Sequence, residues 1–190
     1  MRNLLSVVLL LALHTSLAHA QQTMADLWRA MPDTIVPILS HNNRYDMVDF
    51  IDNHMEARVT NQLEGKSIMD TLTADYLHIT LTPQTVIEMK ALPDGRILMA
   101  RTAAGISTEL HIYNKEWKEQ PMNIAWPQID HYLDGAEIAA DLRARIVDAA
   151  SVIVRLSADT DELTYTLCID DLQRDDKEVL RPLLKPVVKH

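Results

Sequence analysis

Between residues 73 and 114 the chain changes character at every second residue, and short turns interrupt the pattern. Leu77, Ile79 and Leu81 alternate with Tyr76, His78, Thr80 and Thr82, and Ile87 and Met89 alternate with Val86, Glu88 and Lys90. Residues 96–101 follow a Leu92-Pro93-Asp94-Gly95 turn, and Glu109-Leu110-His111-Ile112-Tyr113 follows Ala104-Gly105. A period of two broken by turns predicts a four-strand antiparallel meander with one buried face. In the first of those turns Pro93 presets one dihedral, Asp94 bonds its own backbone and Gly95 takes the positive φ. Ile97-Leu98-Met99-Ala100 is apolar on both sides, which predicts a central strand covered on both faces. The alternation assigns Leu77, Ile79, Leu81, Ile87, Met89, Leu110 and Ile112 to the buried side. It leaves Tyr76, His78, Glu88, Lys90, His111 and Tyr113 on the other.

The flanking segments supply what covers such a sheet. Thr23 and Asp26 have capping-box spacing, so a short helix with Leu27, Trp28 and Met31 on one side is expected, stopped by Pro32. Ser40 caps a helix over 41–55 with Met47, Val48, Ile51 and Met55 as its apolar stripe. Residues 56–61 read as a short strand, and residues 67–71 as a second short strand or an ordered loop. Residues 114–127 carry Trp117 and Trp126 and read as a loop plugging the end of the sheet. Ile138, Leu142 and Ile146 predict a helix over 134–149. Val152, Val154 and Leu156, then Leu163, Tyr165 and Leu167, predict a second hairpin. A last helix over 174–184, with Val179, Leu180, Leu183 and Leu184, precedes a short edge strand near Val187-Val188. The fold class is α+β: a mainly antiparallel sheet, made of the four-strand meander plus a second hairpin, covered by N-terminal, middle and C-terminal helices. Residues 21–190 read as one α+β domain, or as two packed subdomains, 21–127 and 128–190.

Residues 1–20 are read as a signal peptide. Arg2 provides the positive end, a leucine-rich stretch too short to span a bilayer follows, and Ala18-His19-Ala20 is a small-residue cleavage site. Cleavage between Ala20 and Gln21 predicts a periplasmic or secreted protein. The one cysteine, Cys168, lies far from that site, so no lipid anchor and no internal disulfide are expected. A net charge of −9 argues against nucleic acid and anionic lipid as partners.

The search for chemistry turns up little. Four glycines, at 65, 95, 105 and 135, build neither a nucleophile elbow nor a phosphate loop. Cys168 shares a hairpin with threonines and reads as structural. No pair among His41, His54, His78, His111, His131 and His190 has H-x-x-x-H or H-x-H spacing. His78 and His111 sit on the first and fourth meander strands, roughly 14 Å apart if the strands pair in order. No metal, no cofactor and no catalytic residue is therefore assigned. Asp70 and Asp75, with His78, are the candidate members of a hydrolase site assembled from distant residues.

Three stretches carry a resemblance: Asp26-Leu27-Trp28-Arg29-Ala30-Met31-Pro32-Asp33 with Pro37; Met69-Asp70-Thr71-Leu72-Thr73 with Asp75-Tyr76-Leu77; and Leu156-Ser157-Ala158-Asp159 leading to Leu163-Thr164. Together they resemble an uncharacterised family, a domain of unknown function, of exported proteins from anaerobic Gram-negative bacteria of the Bacteroides type. That resemblance implies no activity and no catalytic residue. Asp33-Thr34-Ile35 and Asp70-Thr71-Leu72 resemble the Asp-Thr-aliphatic acceptor pattern for O-glycosylation in this bacterial group. Thr34 and Thr71 are therefore candidate sites, Thr71 the more exposed of the two.

The expected function is an exported, non-catalytic domain that binds a protein or an apolar ligand in the cell envelope, through Tyr76, His78, His111 and Tyr113. Two alternatives stand beside it: a hydrolase built on Asp70, Asp75 and His78, and a structural accessory of an envelope complex.

Overall fold

The computed structural model describes residues 22–103 and 107–189. The signal peptide, its cleavage point, the turn at Ala104-Gly105 and His190 lie outside the described residues. Two helices come first, α1 (Met24–Ala30) and α2 (His41–Asp52). Seven strands follow: β1 (Ala57–Thr60), β2 (Lys66–Leu72), β3 (Tyr76–Thr82), β4 (Thr85–Ala91), β5 (Ile97–Ala103), β6 (Ser107–Tyr113) and β7 (Glu119–Gln120). The remainder is α3 (Ile129–Tyr132), α4 (Ala140–Ala149), β8 (Ser151–Leu156), β9 (Leu163–Cys168), α5 (Arg174–Leu180) and β10 (Val187–Lys189). This is an α+β architecture with two antiparallel sheets.

Local chemistry accounts for the boundaries. Thr23 and Asp26 bond each other's backbone N–H, and Ser40 and Asn43 do the same at the start of α2. Arg44, 1% exposed, ties the loop between these helices together. Its guanidinium donates to the Leu39 carbonyl (3.0 Å), the Met31 carbonyl (2.6 Å) and Asp33 Oδ1 (2.6 Å). The turn between β4 and β5 closes through the Gly95 N–H on the Leu92 carbonyl, with Gly95 at φ +82°.

Strands β1 to β7 lie in chain order in one sheet. On its first face α1 and α2 cover Met69, Leu77, Ile79, Leu81, Ile87, Met89, Ile97 and Met99, and Trp28, Leu39 and Met47 complete that core. The second sheet, in the order β10-β9-β8, packs on the other face. There Val154, Leu156 and Tyr165 meet Tyr76, Leu98, Ala100, Leu110 and Ile112, with Tyr132 beside them. The free edge of β8 is mended by a side chain: buried Thr108 Oγ1 accepts the Val154 N–H at 2.9 Å and bonds Thr102 Oγ1 at 2.8 Å. A third cluster, with Leu142, Ile146, Ile169 and Leu180, seats α4 and α5.

Several expectations are corrected. Leu110 and Ile112 lie on the second face, not with Ile87 and Met89. Pairing places Tyr76 with Lys90, Leu98 and Ile112, whereas Leu77 aligns with Met89, Met99 and His111. Because β5 is apolar on both sides, its composition gives β6 no preferred face, and the register alone decides. The second hairpin forms its own sheet over the meander rather than extending it. The helix expected over 134–149 starts only at Ala140, because Asp134 and Gly135 take positive φ (47° and 80°) and end the preceding turn. Met55 falls beyond the end of α2 and Val179 faces outward, so both are exposed.

Candidate functional site

The covering layers are offset. The helices shield the first face mainly along β1–β4, and the second sheet shields the opposite face mainly along β4–β6. A polar wing is left on each side. On the first face of β5 and β6 it comprises Arg101, Ala103, Glu109 and His111. On the second face of β2 and β3 it comprises Ile68, Asp70, His78 and Thr80. The four residues expected to share a binding face are therefore divided. Tyr76 and His78 are on the second face, His111 and Tyr113 on the first. In each pair the tyrosine is buried in a core and the histidine reaches a wing.

The His78 wing contains a carboxylate–imidazole pair. A bulge between Met69 and Thr71 leaves Asp70 unpaired in the ladder and sets Thr71 opposite His78. Bulges of this kind redirect a side chain without ending the strand. Asp70 Oδ1 sits 2.7 Å from His78 Nδ1 and accepts the Thr71 hydroxyl at 3.2 Å. With Nδ1–H given to Asp70, Nε2 is the basic nitrogen. Among the described residues no hydroxyl or thiol is bonded to Nε2, and Asp70 is about half exposed (47%). A base that activates a nucleophile must be within hydrogen-bond reach of it.

Asp75 is not part of this pair. Its Oδ2 lies 2.9 Å from Lys90 Nζ, which also donates to the Ala158 carbonyl at 3.2 Å. Lys90 is 5% exposed and Glu88, two residues earlier on the same strand face, 3%. Glu88 accepts the Tyr76 hydroxyl at 3.0 Å and an Arg155 N–H at 3.4 Å. Burial first, then the Glu88 carboxylate, push the Tyr76 phenol far above its ordinary pKa. These contacts fix where the second hairpin sits on the meander, since a shift would strand a buried charge.

The Lys90 hydrogen bond is the main cause holding the Asp75 carboxyl below the usual range, with burial opposing it and Thr73 assisting. Its contribution to stability is present above the unfolded-state pKa, near pH 4, and is lost as pH falls through the lower folded value. Asp75→Asn is expected to lower the melting temperature at pH 7 and to converge with the parent protein in acid. An offset unchanged from about pH 7 to about pH 2 would refute this account of the pair.

On the first face, His111 Nδ1 lies 2.8 Å from Glu119 Oε1, and its ring stacks on Tyr113 (6.0 Å, 24°), which in turn meets Trp117 at 5.6 Å. Trp117 plugs the first core, whereas Trp126 is 40% exposed and stands edge-on to Tyr165 at 5.7 Å. His78 and His111 point from opposite faces and cannot share an ion. Among the described residues no group of three or more His, Cys, Asp and Glu side chains is placed to hold a metal. Cys168 is buried, 3.7 Å from Asp170 Oδ2. Thr34 lies exposed in a turn, but Thr71 is half-buried within β2, so the expected ranking of the two acceptor sites is reversed.

A model of the family described as "Protein of unknown function (DUF3256)" matches residues 16–190. The chain belongs to the DUF3256 family. A solved domain of an uncharacterized protein from Porphyromonas gingivalis has the same fold as this DUF3256 chain. It has a TM-score of 0.69 and 19% identity, and the match covers 86% of this chain and 91% of that one. No curated protein matches. At that identity the likeness carries fold alone, so the site of this DUF3256 domain has to be read from its own residues. The sequence reading missed Glu88–Arg155, Tyr132 and Tyr165. Charged Glu88 and Lys90 alternate with Ile87 and Met89 and so signalled a wet face, although both are buried under the second sheet.

Proposed function

We propose that this domain is a non-catalytic binding module of the cell envelope, exported by residues 1–20, with a protein partner that docks on the first-face wing of β5 and β6. The observation that carries the reading is the asymmetry of those two strands. Ala100, Thr102, Thr108 and Leu110 are buried on one side, while Arg101, Ala103 and Glu109 are exposed on the other. An antiparallel sheet with one wet face offers a flat surface suited to another protein rather than to a small molecule. Glu109 and Glu119 flank His111, and the chain is acidic overall, so the complementary partner surface is basic.

A photo-crosslinking residue at position 109, in cells that make the protein natively, should capture one partner. The same group at exposed position 148 on α4 should not. Charge reversal at Glu119 together with His111→Ala should abolish capture without lowering the melting temperature, and raised salt should weaken it. Equal capture at both positions, or none at 109, rejects the surface. The exported protein should begin at Gln21; an intact residue 1 would reject the export step.

A hydrolytic reading rests on the 2.7 Å Asp70–His78 contact. It requires His78→Ala to abolish hydrolysis of an ester substrate by the purified protein.

A further inference from the structure

The second apolar cluster contains two phenols whose hydroxyls have no hydrogen-bond partner among the described residues. Tyr132 is 1% exposed and Tyr165 0%, and both hydroxyl oxygens are fully enclosed. An unpaired buried hydroxyl costs free energy that a phenylalanine at the same place would not. Two of them within one cluster form an unused pair of donors. Burial pushes both phenols upward, Tyr132 to about 12, so both keep their protons and remain donors at neutral pH.

What lies over this cluster is weakly held. Residues 121–127 form a strap with no helix or strand, bounded by Pro121 and Pro127. Among the described residues only one hydrogen bond reaches it, from Lys189 Nζ to the Ala125 carbonyl at 2.9 Å. Otherwise it is held by packing: Met122 and Ile124 rest half-buried against the cluster, and Trp126 touches Tyr165 edge-on. Lys189 Nζ also stands 6.0 Å from the centre of the Tyr165 ring. Lifting the strap would open the apolar cluster that holds both phenols, uncover Tyr165 and release the Lys189 ammonium together. Segments held by few hydrogen bonds and little buried area are the ones that open first.

We propose that the strap is the lid of a binding site for a linear acyl chain ending in a carboxylate, with the chain replacing Met122 and Ile124 and the carboxylate accepting from Tyr132, Tyr165 and Lys189. Three donors, one of them charged, suit an anion at the end of an apolar channel. Met122 and Ile124 occupy the place the chain would take in the closed form, so binding requires the strap to move. This site shares no residue with the protein-docking wing and stands or falls separately from it.

The test uses the full mature chain and decanoate, with decanol as the uncharged control. Titration calorimetry should show one decanoate per chain and at least tenfold weaker binding of decanol. Tyr132→Phe with Tyr165→Phe should weaken decanoate at least tenfold while the ligand-free melting temperature stays level or rises, because two unpaired hydroxyls have been removed. Lys189→Met should weaken decanoate but not decanol, which keeps the idea testable if the double variant misfolds. Absence of decanoate binding, equal affinity for decanol, or undiminished binding by the phenylalanine or methionine variants would overturn the assignment.

Discussion

Tyr76→Ser combined with Tyr113→Ser is expected to cost the protein about 6–10 kcal/mol, enough to unfold a domain of ordinary stability. Each tyrosine fills a different core. Tyr76 packs between the sheets with its hydroxyl on Glu88, and Tyr113 packs on the helix side against Trp117. Truncating a large buried aromatic side chain costs roughly 3–5 kcal/mol. The sites are on opposite faces with no shared partner, so the losses should add. Had these residues formed a solvent-facing docking surface, the double variant would keep its melting temperature. Thermal melts of the two single variants and the double variant decide the matter, and a drop of less than about 5 °C for the double variant would contradict the burial of both.

Arg44→Ala is the second large effect. Removing the guanidinium takes the donor from the Met31 and Leu39 carbonyls, at roughly 1–3 kcal/mol for each acceptor left without a partner. The buried stem of the side chain is lost as well, so about 3–6 kcal/mol is expected in denaturant unfolding. Asp33, the third partner, is largely exposed, and Asp33→Asn should cost less than about 1 kcal/mol. Arg44→Lys should recover only part of the loss, since an ammonium cannot span three acceptors arranged around a planar fork. Similar losses from Arg44→Ala and Asp33→Asn would show that the ion pair, and not the carbonyl contacts, holds the loop.

The strands of the meander were legible in the sequence because alternation and turn chemistry are local, whereas the order in which they pair was not. Leu77 to Leu81 and the Pro93-Asp94-Gly95 turn needed nothing from the rest of the chain. Also legible were the caps at Thr23 and Ser40, and the common face of Val152, Val154 and Leu156. The face taken by β6 was not legible. Leu98 and Met99 are equally apolar, so either Leu110 or His111 satisfies the alternation beside them. Only the pairing of Met99 with His111 settles which core each enters. The Asp70–His78 contact depends on a bulge, and no periodicity marks an extra residue in a strand. Tyr165 looked like any apolar residue of a hairpin, and Tyr132 sits in a helical turn too short to give a pattern. What makes them of interest is an unmet hydrogen bond, a property of the packed interior rather than of the residues themselves.

The chain order of the seven-strand sheet also bears on how the protein reaches its native state. Each strand from β2 to β7 pairs with its immediate predecessor, so every ladder closes a short loop and the sheet can grow by successive zippering. The contacts of β8 with β4, β5 and β6 span far longer separations and gain nothing until those strands exist. We infer a folding order in which the meander forms early and the second sheet docks late, with buried Glu88 accepting from Arg155 and Lys90 donating to the Ala158 carbonyl only at that step. Pulsed hydrogen exchange during refolding should protect β3–β6 amides before those of β8 and β9; simultaneous protection would mean that the two sheets assemble together. Until docking, Leu98, Leu110 and Ile112 face water, so the slow half of the chain acts as a shield for the fast half.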